Sequence, residues 1–235
     1  MRALNTIHRV DSFAELPALA SQCVDFAFAD PPYGVNKAEW DSAYPRFDFE
    51  AELLRVTRKG VAVTPGQEQI ATCIQRMGAA YQGLHVGRNL NGMTFNKLGF
   101  ENTIIAVIGG GAVRGPSFFE FSVSGEKPPH PSPKPIEYMV KLLLRFTEPG
   151  DIVLDPFSGS GTTAIACHKL GRRFLCFEQD IQYHALSLER LEQERAQQCL
   201  FGAEGALESK ESGATAYNSG SMQLSLDIME VDNRR

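Results

Sequence analysis

The chain has 235 residues, of which 43% are hydrophobic, and a formal net charge of -5 at pH 7. This length suits one large domain with a full apolar core, so no second domain is required. No apolar run is long enough to cross a bilayer and no N-terminal stretch has signal-peptide character, which predicts a cytoplasmic protein with no membrane partner. The five cysteines form no C-x-x-C pair, so the sequence indicates neither a metal site nor a disulfide framework.

Strand-like and helix-like segments alternate along the first 80 residues. A strand at 4–10 precedes a helix at 12–20, and Asp11 stands where its carboxylate can cap that helix. Apolar strands follow at 24–30 and 60–64, with helical periodicity at 47–58 and 67–77. This alternation predicts an α/β fold with a doubly wound, mostly parallel sheet.

Periodicity weakens between residues 81 and 129, where only 103–108 has the composition of a strand. The glycines at 109–111 and the Arg-Gly-Pro at 114–116 indicate turns. An amphipathic helix is then predicted over 136–146, directly after the proline-rich segment 130–135.

The segment 150–163 has the composition of a strand, a tight glycine loop and the start of a helix. Gly159 and Gly161 permit positive φ, so backbone amides can close on a ligand at the helix N-terminus. A triphosphate-binding loop would carry lysine after its last glycine, whereas this chain has Thr162. The loop therefore suits a carboxylate or a small nucleoside, and a purely structural turn is an equal alternative at this point.

The last predicted strand, 174–177, ends in Glu178. An acid at the end of the strand that follows a glycine-loop helix is well placed to accept both ribose hydroxyls. A helix is predicted at 181–200, and the Gly/Ser/Glu-rich residues 203–235 are predicted to be a disordered acidic tail. From residue 204 onward the chain has six acids and three bases, a charge of -3 that leaves only -2 for the remainder.

Three motifs occur in a specific order: Asp30-Pro31-Pro32-Tyr33, then His-Pro-Ser-Pro-Lys-Pro at 130–135, then 155–163. In this order they resemble the beta group of the S-adenosylmethionine-dependent DNA amino-methyltransferases. The resemblance implies a Rossmann-like methyltransferase fold with permuted motif order, S-adenosylmethionine as cofactor, and DNA with a flipped-out target base as substrate. It also implies that the cofactor is contacted by Asp11, Ser132, Asp155, Phe157, Ser158, Gly159, Ser160, Gly161, Thr162, Thr163 and Glu178.

The resemblance makes Asp30, Pro31, Pro32 and Tyr33 the catalytic residues, and the chemistry explains why. The exocyclic nitrogen of adenine is a poor nucleophile because its lone pair is delocalised into the ring. If the Asp30 carboxylate and the Pro31 carbonyl each accept one of its N–H bonds, the nitrogen can pyramidalise towards the methyl donor. Tyr33 can stack on the base, which is worth about 1 to 3 kcal/mol.

Several functions stay open at the level of sequence. Asp30 favours the N6 amino group of adenine, because serine at that position is the more usual choice for N4 of cytosine; cytosine is the alternative. A catalytically silent DNA-binding or restriction-associated subunit could retain the same fold, and an RNA methyltransferase would share the chemistry. The sequence does not identify a restriction partner.

The family keeps its target-recognition region within about 81–129 of the predicted methyltransferase domain, residues 1–202. Four polar residues there are candidates for DNA contact: Arg88, Asn91, Lys97 and Arg114. Because few residues are free to read base edges, the recognised sequence is predicted to be short or loosely defined. The alternative is that these residues serve the fold, with recognition supplied by a homodimer partner or another subunit.

Overall fold

The computed structural model describes residues 2–33, 44–45, 47–91, 103–111, 117–123 and 133–212, with the backbone alone from residue 198 onward. In chain order the strands and helices are β1 Thr6–His8, α1 Ser12–Glu15, β2 Val24–Ala29, α2 Phe49–Val56, β3 Thr57–Val63, α3 Ile70–Met77, β4 Tyr81–Asn89, β5 Thr103–Gly109, β6 Phe118–Phe121, α4 Ile136–Phe146, β7 Ile152–Asp155, α5 Thr162–Lys169, β8 Arg173–Phe177 and α6 Ile181–Ser212.

The described strands form one sheet in the order β1-β8-β7-β2-β3-β5-β4-β6. The neighbours from β1 to β3 all pair in parallel, as do β4 and β6, whereas β5 pairs antiparallel with both β3 and β4. Because these five strands are parallel, the carboxyl ends of β1, β8, β7, β2 and β3 share one edge of the sheet. The strand order reverses between β7 and β2. The prediction of a doubly wound, mostly parallel α/β sheet is confirmed.

Both faces of the sheet are covered by helices, as the apolar strands require. On β2, Phe26 and Phe28 belong to the core formed with α4 and α5, whereas Ala27 and Ala29 belong to the core formed with α2 and α3. This division follows from the alternation of side chains along a strand. Because both faces are buried, β2 is an uninterrupted run of apolar residues from position 26 to 29.

Two strands were not predicted. β4 contains three exposed residues and two glycines, and the four-residue β6 pairs with β4 at the end of the sheet. The sequence did not predict β4 because much of it is exposed and it contains two glycines, and it did not predict β6 because that strand is short. They reduce the region 81–129 further, since much of its described part is sheet.

The helix α6 differs from its prediction at its C-terminal end. It continues to Ser212, beyond the predicted start of the disordered tail at residue 203. Residues 203–211 consist mostly of alanine, leucine, glutamate and lysine, which are strong helix formers. Their helix propensity outweighs the unfavourable propensity of Gly202 and Gly205. Residues 213–235 lie outside the described part of the chain.

The chain divides into two compact units, Met1–Leu191 and Glu192–Arg235. Among the described helices, none is long and apolar enough to cross a membrane.

His85 is a buried polar residue in the core beneath β4. Its side chain packs between the rings of Phe119 and Phe146, with centroid distances of 4.9 and 5.8 Å. Neither ring nitrogen has a hydrogen-bond partner in the described structure, and the residue is 1% exposed. Burial, with a smaller contribution from the positive charge of Arg145, lowers the pKa of His85 to about 4.

This imidazole should make the fold sensitive to mild acid. The unfolded chain binds a proton at His85 near its ordinary pKa of 6.5, whereas the folded chain binds it only near pH 4. Stability is therefore lost as the pH falls between these values, by about 2 kcal/mol from about pH 7.5 to about pH 5. Urea unfolding at the two pH values measures the loss. His85→Phe should remove that component, and an equal loss in this variant would contradict the assignment.

Candidate active site

The carboxyl ends of four neighbouring strands meet at one cleft. Asp30 follows β2, Asp155 ends β7, Glu178 follows β8 and Asp11 lies three residues beyond β1. All four acids line the cleft. Sequence positions up to 167 residues apart (Asp11 and Glu178) are therefore brought together by parallel pairing, at the edge where α/β sheets bind ligands.

The carboxylate of Asp30 is the centre of a small hydrogen-bond network. Its Oδ1 atom accepts from the hydroxyls of Tyr33 at 2.5 Å and Thr64 at 2.8 Å. Its Oδ2 atom accepts from the Nζ atom of Lys134 at 2.5 Å, and the same ammonium donates to the Tyr33 hydroxyl at 2.8 Å. The network joins the end of β2 to the end of β3 and to the segment before α4.

Two members of this network, Thr64 and Lys134, were not predicted as site residues. The sequence placed Lys134 only in the proline-rich segment before a helix, and α4 begins at Ile136, two residues later. Thr64 follows β3 and extends the pairing with β2 through its amide, which donates to the carbonyl of Ala29 at 2.9 Å. The signal for Thr64 was the sheet itself, because residues just after adjacent parallel strands share an edge. Lys134 precedes a helix and carried no such signal.

The glycine loop between β7 and α5 has the predicted strand–loop–helix form. Gly159 and Gly161 have φ values of +50° and +80°, in the left-handed region that favours glycine. A Cβ atom on Gly161 would lie 2.9 Å from the Cβ atom of Ser187 on α6. Gly161 is therefore needed for its φ and for close packing against α6, whereas Gly159 and Ser160 line the cleft.

The loop is also held from both sides by side chains. The hydroxyl of Ser12 donates to the carbonyl of Pro156, and the guanidinium of Arg190 donates to the carbonyl of Ser160. These contacts bind α1 and α6 to the loop that connects β7 with α5.

Glu178 connects β8 with the same loop. Its two carboxylate oxygens accept from the amides of Gly159 and Asp180, each at 2.8 Å. Burial raises its pKa, and the neighbouring negative charge of Asp180 adds to the effect.

Asp155 is a buried acid behind the glycine loop. It is 2% exposed and accepts hydrogen bonds from the Thr163 hydroxyl at 2.5 Å and the Phe157 amide at 2.9 Å. Burial raises the pKa of Asp155 to about 7, and the charges of Asp30 and Glu178 act in the same direction. The cleft thus contains a carboxyl group that titrates near neutral pH.

The sequence and the fold of this chain are similar to those of known proteins. Residues 117–189, which include the glycine loop and Glu178, match the "DNA methylase" family. The chain is 27% identical to the type II methyltransferase M1.MboII of Moraxella bovis, over 78% of this chain and 95% of that protein. A shorter match to the type II methyltransferase M2.DpnII of Streptococcus pneumoniae is 42% identical and covers 28% of this chain but only 24% of that relative.

Solved structures share the fold. The crystal structure of the M1.HpyAVI–SAM complex aligns with a TM-score of 0.63 and 24% identity, covering 79% of this chain and 99% of that one. The cytosine-N4-specific PvuII DNA methyltransferase aligns with a TM-score of 0.58 and 16% identity, covering 77% and 84%. In sequence and in fold, this chain is therefore similar to DNA amino-methyltransferases.

The cleft includes most of the residues that the sequence predicted for the site. Those that line it are Asp11, Asp30, Pro31, Pro32, Tyr33, Asp155, Phe157, Ser158, Gly159, Ser160, Thr162, Thr163 and Glu178. Asp11 also caps α1, its carboxylate accepting from the Phe13 amide at 2.9 Å, so the predicted cap is present. Gly161 lies behind the lining residues, and Ser132 is outside the described part of the chain.

Two of the four residues predicted for DNA contact, Arg88 and Asn91, are described, and they lie on or just after β4. Arg88 is exposed and pairs with Glu120 across β4 and β6 at 3.5 Å. The side-chain amide of Asn91 donates to the Val123 carbonyl at 2.9 Å and accepts from the Val123 amide at 2.8 Å. These contacts give Asn91 a role in the fold, while Lys97 and Arg114 lie outside the described residues.

Proposed function

We propose that this protein transfers a methyl group from S-adenosylmethionine to the N6 amino group of adenine in DNA. The observation that carries the proposal is the meeting of two motifs at one cleft. Asp30-Pro31-Pro32-Tyr33 follows β2 and the glycine loop follows β7, and these strands are adjacent and parallel. A base at Asp30 and a cofactor on the loop would therefore lie next to each other.

The residues of the cleft suit this cofactor. Five carboxylates and one ammonium line it, an excess of acid that favours a ligand carrying a sulfonium and an amino group. Phe13 and Phe157, whose rings lie 5.8 Å apart, add apolar surface suited to an adenine ring. Glu178 would accept ribose hydroxyls, and the loop from Ser158 to Ser160 would hold the methionine part. When bound, the cofactor supplies the methyl group that is transferred.

Cofactor affinity should depend on pH through Asp155. With its pKa near 7, this carboxyl is partly protonated at neutral pH, and a cationic ligand favours the ionised form. Binding should therefore release a proton and strengthen with rising pH, by about tenfold from about pH 6 to about pH 8. Titration calorimetry of S-adenosylmethionine measures this. Asp155→Asn should bind with no such dependence, and an affinity of the wild type that stays constant over this range would refute the linkage.

The catalytic residues would act on the target amino group by hydrogen bonding and stacking. The Asp30 carboxylate and the Pro31 carbonyl accept the two N–H bonds, so that the nitrogen lone pair turns out of conjugation. Tyr33 stacks on the flipped base, which offsets part of the few kcal/mol needed to unstack it from the duplex. With the cofactor bound, the new nitrogen–methyl bond would form as the sulfonium–methyl bond breaks, leaving S-adenosylhomocysteine. The methylated nitrogen, which is then far more acidic, would lose its proton to solvent. No activated serine or cysteine nucleophile is needed.

Cytosine N4 is the second candidate target, because the cytosine-N4-specific PvuII enzyme has the same fold. Both amino groups can donate to Asp30, and the resemblance of Asp30 to the family's adenine motif favours adenine. Digestion of methylated DNA to nucleosides, followed by mass spectrometry, separates N6-methyladenine from N4-methylcytosine. The first product supports the proposal and the second replaces the target base while preserving the rest.

DNA is the proposed partner, with a short recognition sequence. Arg88 is the described candidate for contact, because the Asn91 amide is engaged by Val123. Single-molecule sequencing of DNA from cells that express the protein maps the methylated positions. A strict site of about six or more base pairs, read by the protein alone, would refute the short-site proposal, since each base contact supplies only about 1 to 3 kcal/mol. A homodimer partner would then be the proposed source of the additional contacts.

A further inference from the structure

The carboxylate of Asp30 is almost fully occupied by donors of the protein itself. A carboxylate has about four lone-pair positions for hydrogen bonds. Tyr33 and Thr64 share Oδ1, and Lys134 donates to Oδ2. A target amino group therefore meets an acceptor that already has three partners, and the one remaining lone-pair position lies on Oδ2, the oxygen that Lys134 occupies.

The Lys134 ammonium lies where two requirements for the target nitrogen coincide. Its Nζ atom is 2.5 Å from Asp30 Oδ2. The amino group of a bound target base would also have to lie within hydrogen-bond distance of this carboxylate. The ammonium also lies against Tyr33, 2.8 Å from the hydroxyl and 5.4 Å from the ring centroid. Both side chains of this ion pair are mostly buried, since 12% of the Lys134 side chain and 19% of the Asp30 side chain are exposed.

We propose that Lys134 is a positioning residue that takes the place of the target amino group on Asp30 and is displaced by it. This inference rests on the proposed methylation of DNA. An amino-bearing base replaces one N–H donor by another, so the exchange leaves Asp30 satisfied. A base edge that presents only a carbonyl would set an acceptor against the carboxylate. Lys134 thereby raises the cost of binding for every base that displaces it, and only a base with an amino group gives Asp30 a donor in return.

The backbone of Lys134 is fixed, so displacement of the ammonium would require rotation of its side chain alone. The Lys134 carbonyl accepts from the Thr162 hydroxyl at 3.0 Å, and Pro135 follows as the cap of α4. The backbone is thus held between α4 and α5, while the four-carbon side chain remains flexible. Thr64, in contrast, is 1% exposed and is bound to β2 through its amide, so it stays on Oδ1.

The test separates binding of the base from chemistry. Lys134→Met keeps the length of the side chain but removes the charge, and Lys134→Gln keeps a neutral donor. Transfer of tritiated methyl groups to unmethylated bacteriophage DNA gives kcat and KM for DNA. For Lys134→Met we expect KM to fall about tenfold with kcat unchanged, because a charge-assisted competitor has been removed. Lys134→Gln should give an intermediate KM.

Lys141→Met is the matched control, because Lys141 lies on α4 and donates to the Glu120 carbonyl at 2.7 Å, away from the cleft. Its KM should equal that of the wild type. An unchanged or raised KM in Lys134→Met, or a loss of kcat, would overturn the inference, since Lys134 would then hold Asp30 during the reaction. Absence of transfer by the wild type would instead refute the proposed function, and S-adenosylmethionine affinity and melting temperature show that each variant is folded.

Discussion

Asp30→Ala should abolish methyl transfer while leaving S-adenosylmethionine affinity largely intact. The variant removes the acceptor that turns the target nitrogen towards the methyl donor, and it frees Lys134 and Tyr33 from their shared partner. Loss of one such group in a closed site costs about 10²-fold or more in rate. The rate is measured as tritiated methyl uptake by DNA, and the affinity by calorimetry.

Glu68→Ala is a suitable control, because Glu68 is an exposed acid in the turn between β3 and α3. It should methylate at the wild-type rate. If Asp30→Ala weakened cofactor binding by more than about tenfold, or 1.4 kcal/mol, Asp30 would belong to the cofactor side of the cleft. Tyr33→Phe should be milder, because it keeps the stacking ring and loses only the hydroxyl.

Gly161→Val should lose both cofactor binding and stability. The residue has a φ of +80°, which a β-branched side chain rarely adopts, and its Cβ atom would lie 2.9 Å from the Ser187 Cβ atom. Relief requires either the loop or α6 to move, and movement of the loop displaces Gly159 from Glu178. We expect a loss of about 2 kcal/mol or more in unfolding free energy and a loss of more than about tenfold in S-adenosylmethionine affinity.

Gly171→Val separates the two causes. Gly171 also has a positive φ, +67°, but a Cβ atom there would meet no heavy atom within 4 Å. This variant should lose stability through backbone strain alone and should bind the cofactor normally. Urea unfolding and calorimetry on both variants compare them directly. Normal binding by a folded Gly161→Val would show that the glycine loop does not hold the cofactor.

The sequence was sufficient for the parts of the fold where pattern and burial agree. β2 and β7 are short apolar runs buried on both faces, and α4 has a single apolar face, so α4 was predicted to the residue. β4 was missed because its exposed residues alternate with glycines and His85 rather than with apolar side chains, and β6 because it has four residues. The length of α6 depends on helix propensity after Gly202, which outweighed the two glycines that suggested an end.

The candidate site was predictable where a motif has its own chemistry. Asp30, Glu178 and the glycine loop were identified in this way and share one cleft. Thr64 and Lys134 were not identified, because their importance comes from contact with Asp30 across 34 and 104 positions of the chain. The reason for Gly161 was also different: the sequence suggested an approach to the ligand, and the structure shows an approach to Ser187.

The contacts around the glycine loop have a consequence for synthesis of the chain on the ribosome. Ser12 contacts Pro156 across 144 positions, and Arg190 contacts Ser160 from the opposite direction. The strand β2 therefore emerges long before the glycine loop beside it. The contact between Arg190 and the loop can form only after residue 190 has emerged. A nascent chain cannot form the complete loop before residue 190 has emerged, and until residue 155 has emerged the apolar edge of β2 lacks β7 as its neighbour. Such long-range pairing is slow, which makes the incomplete chain a substrate for chaperones.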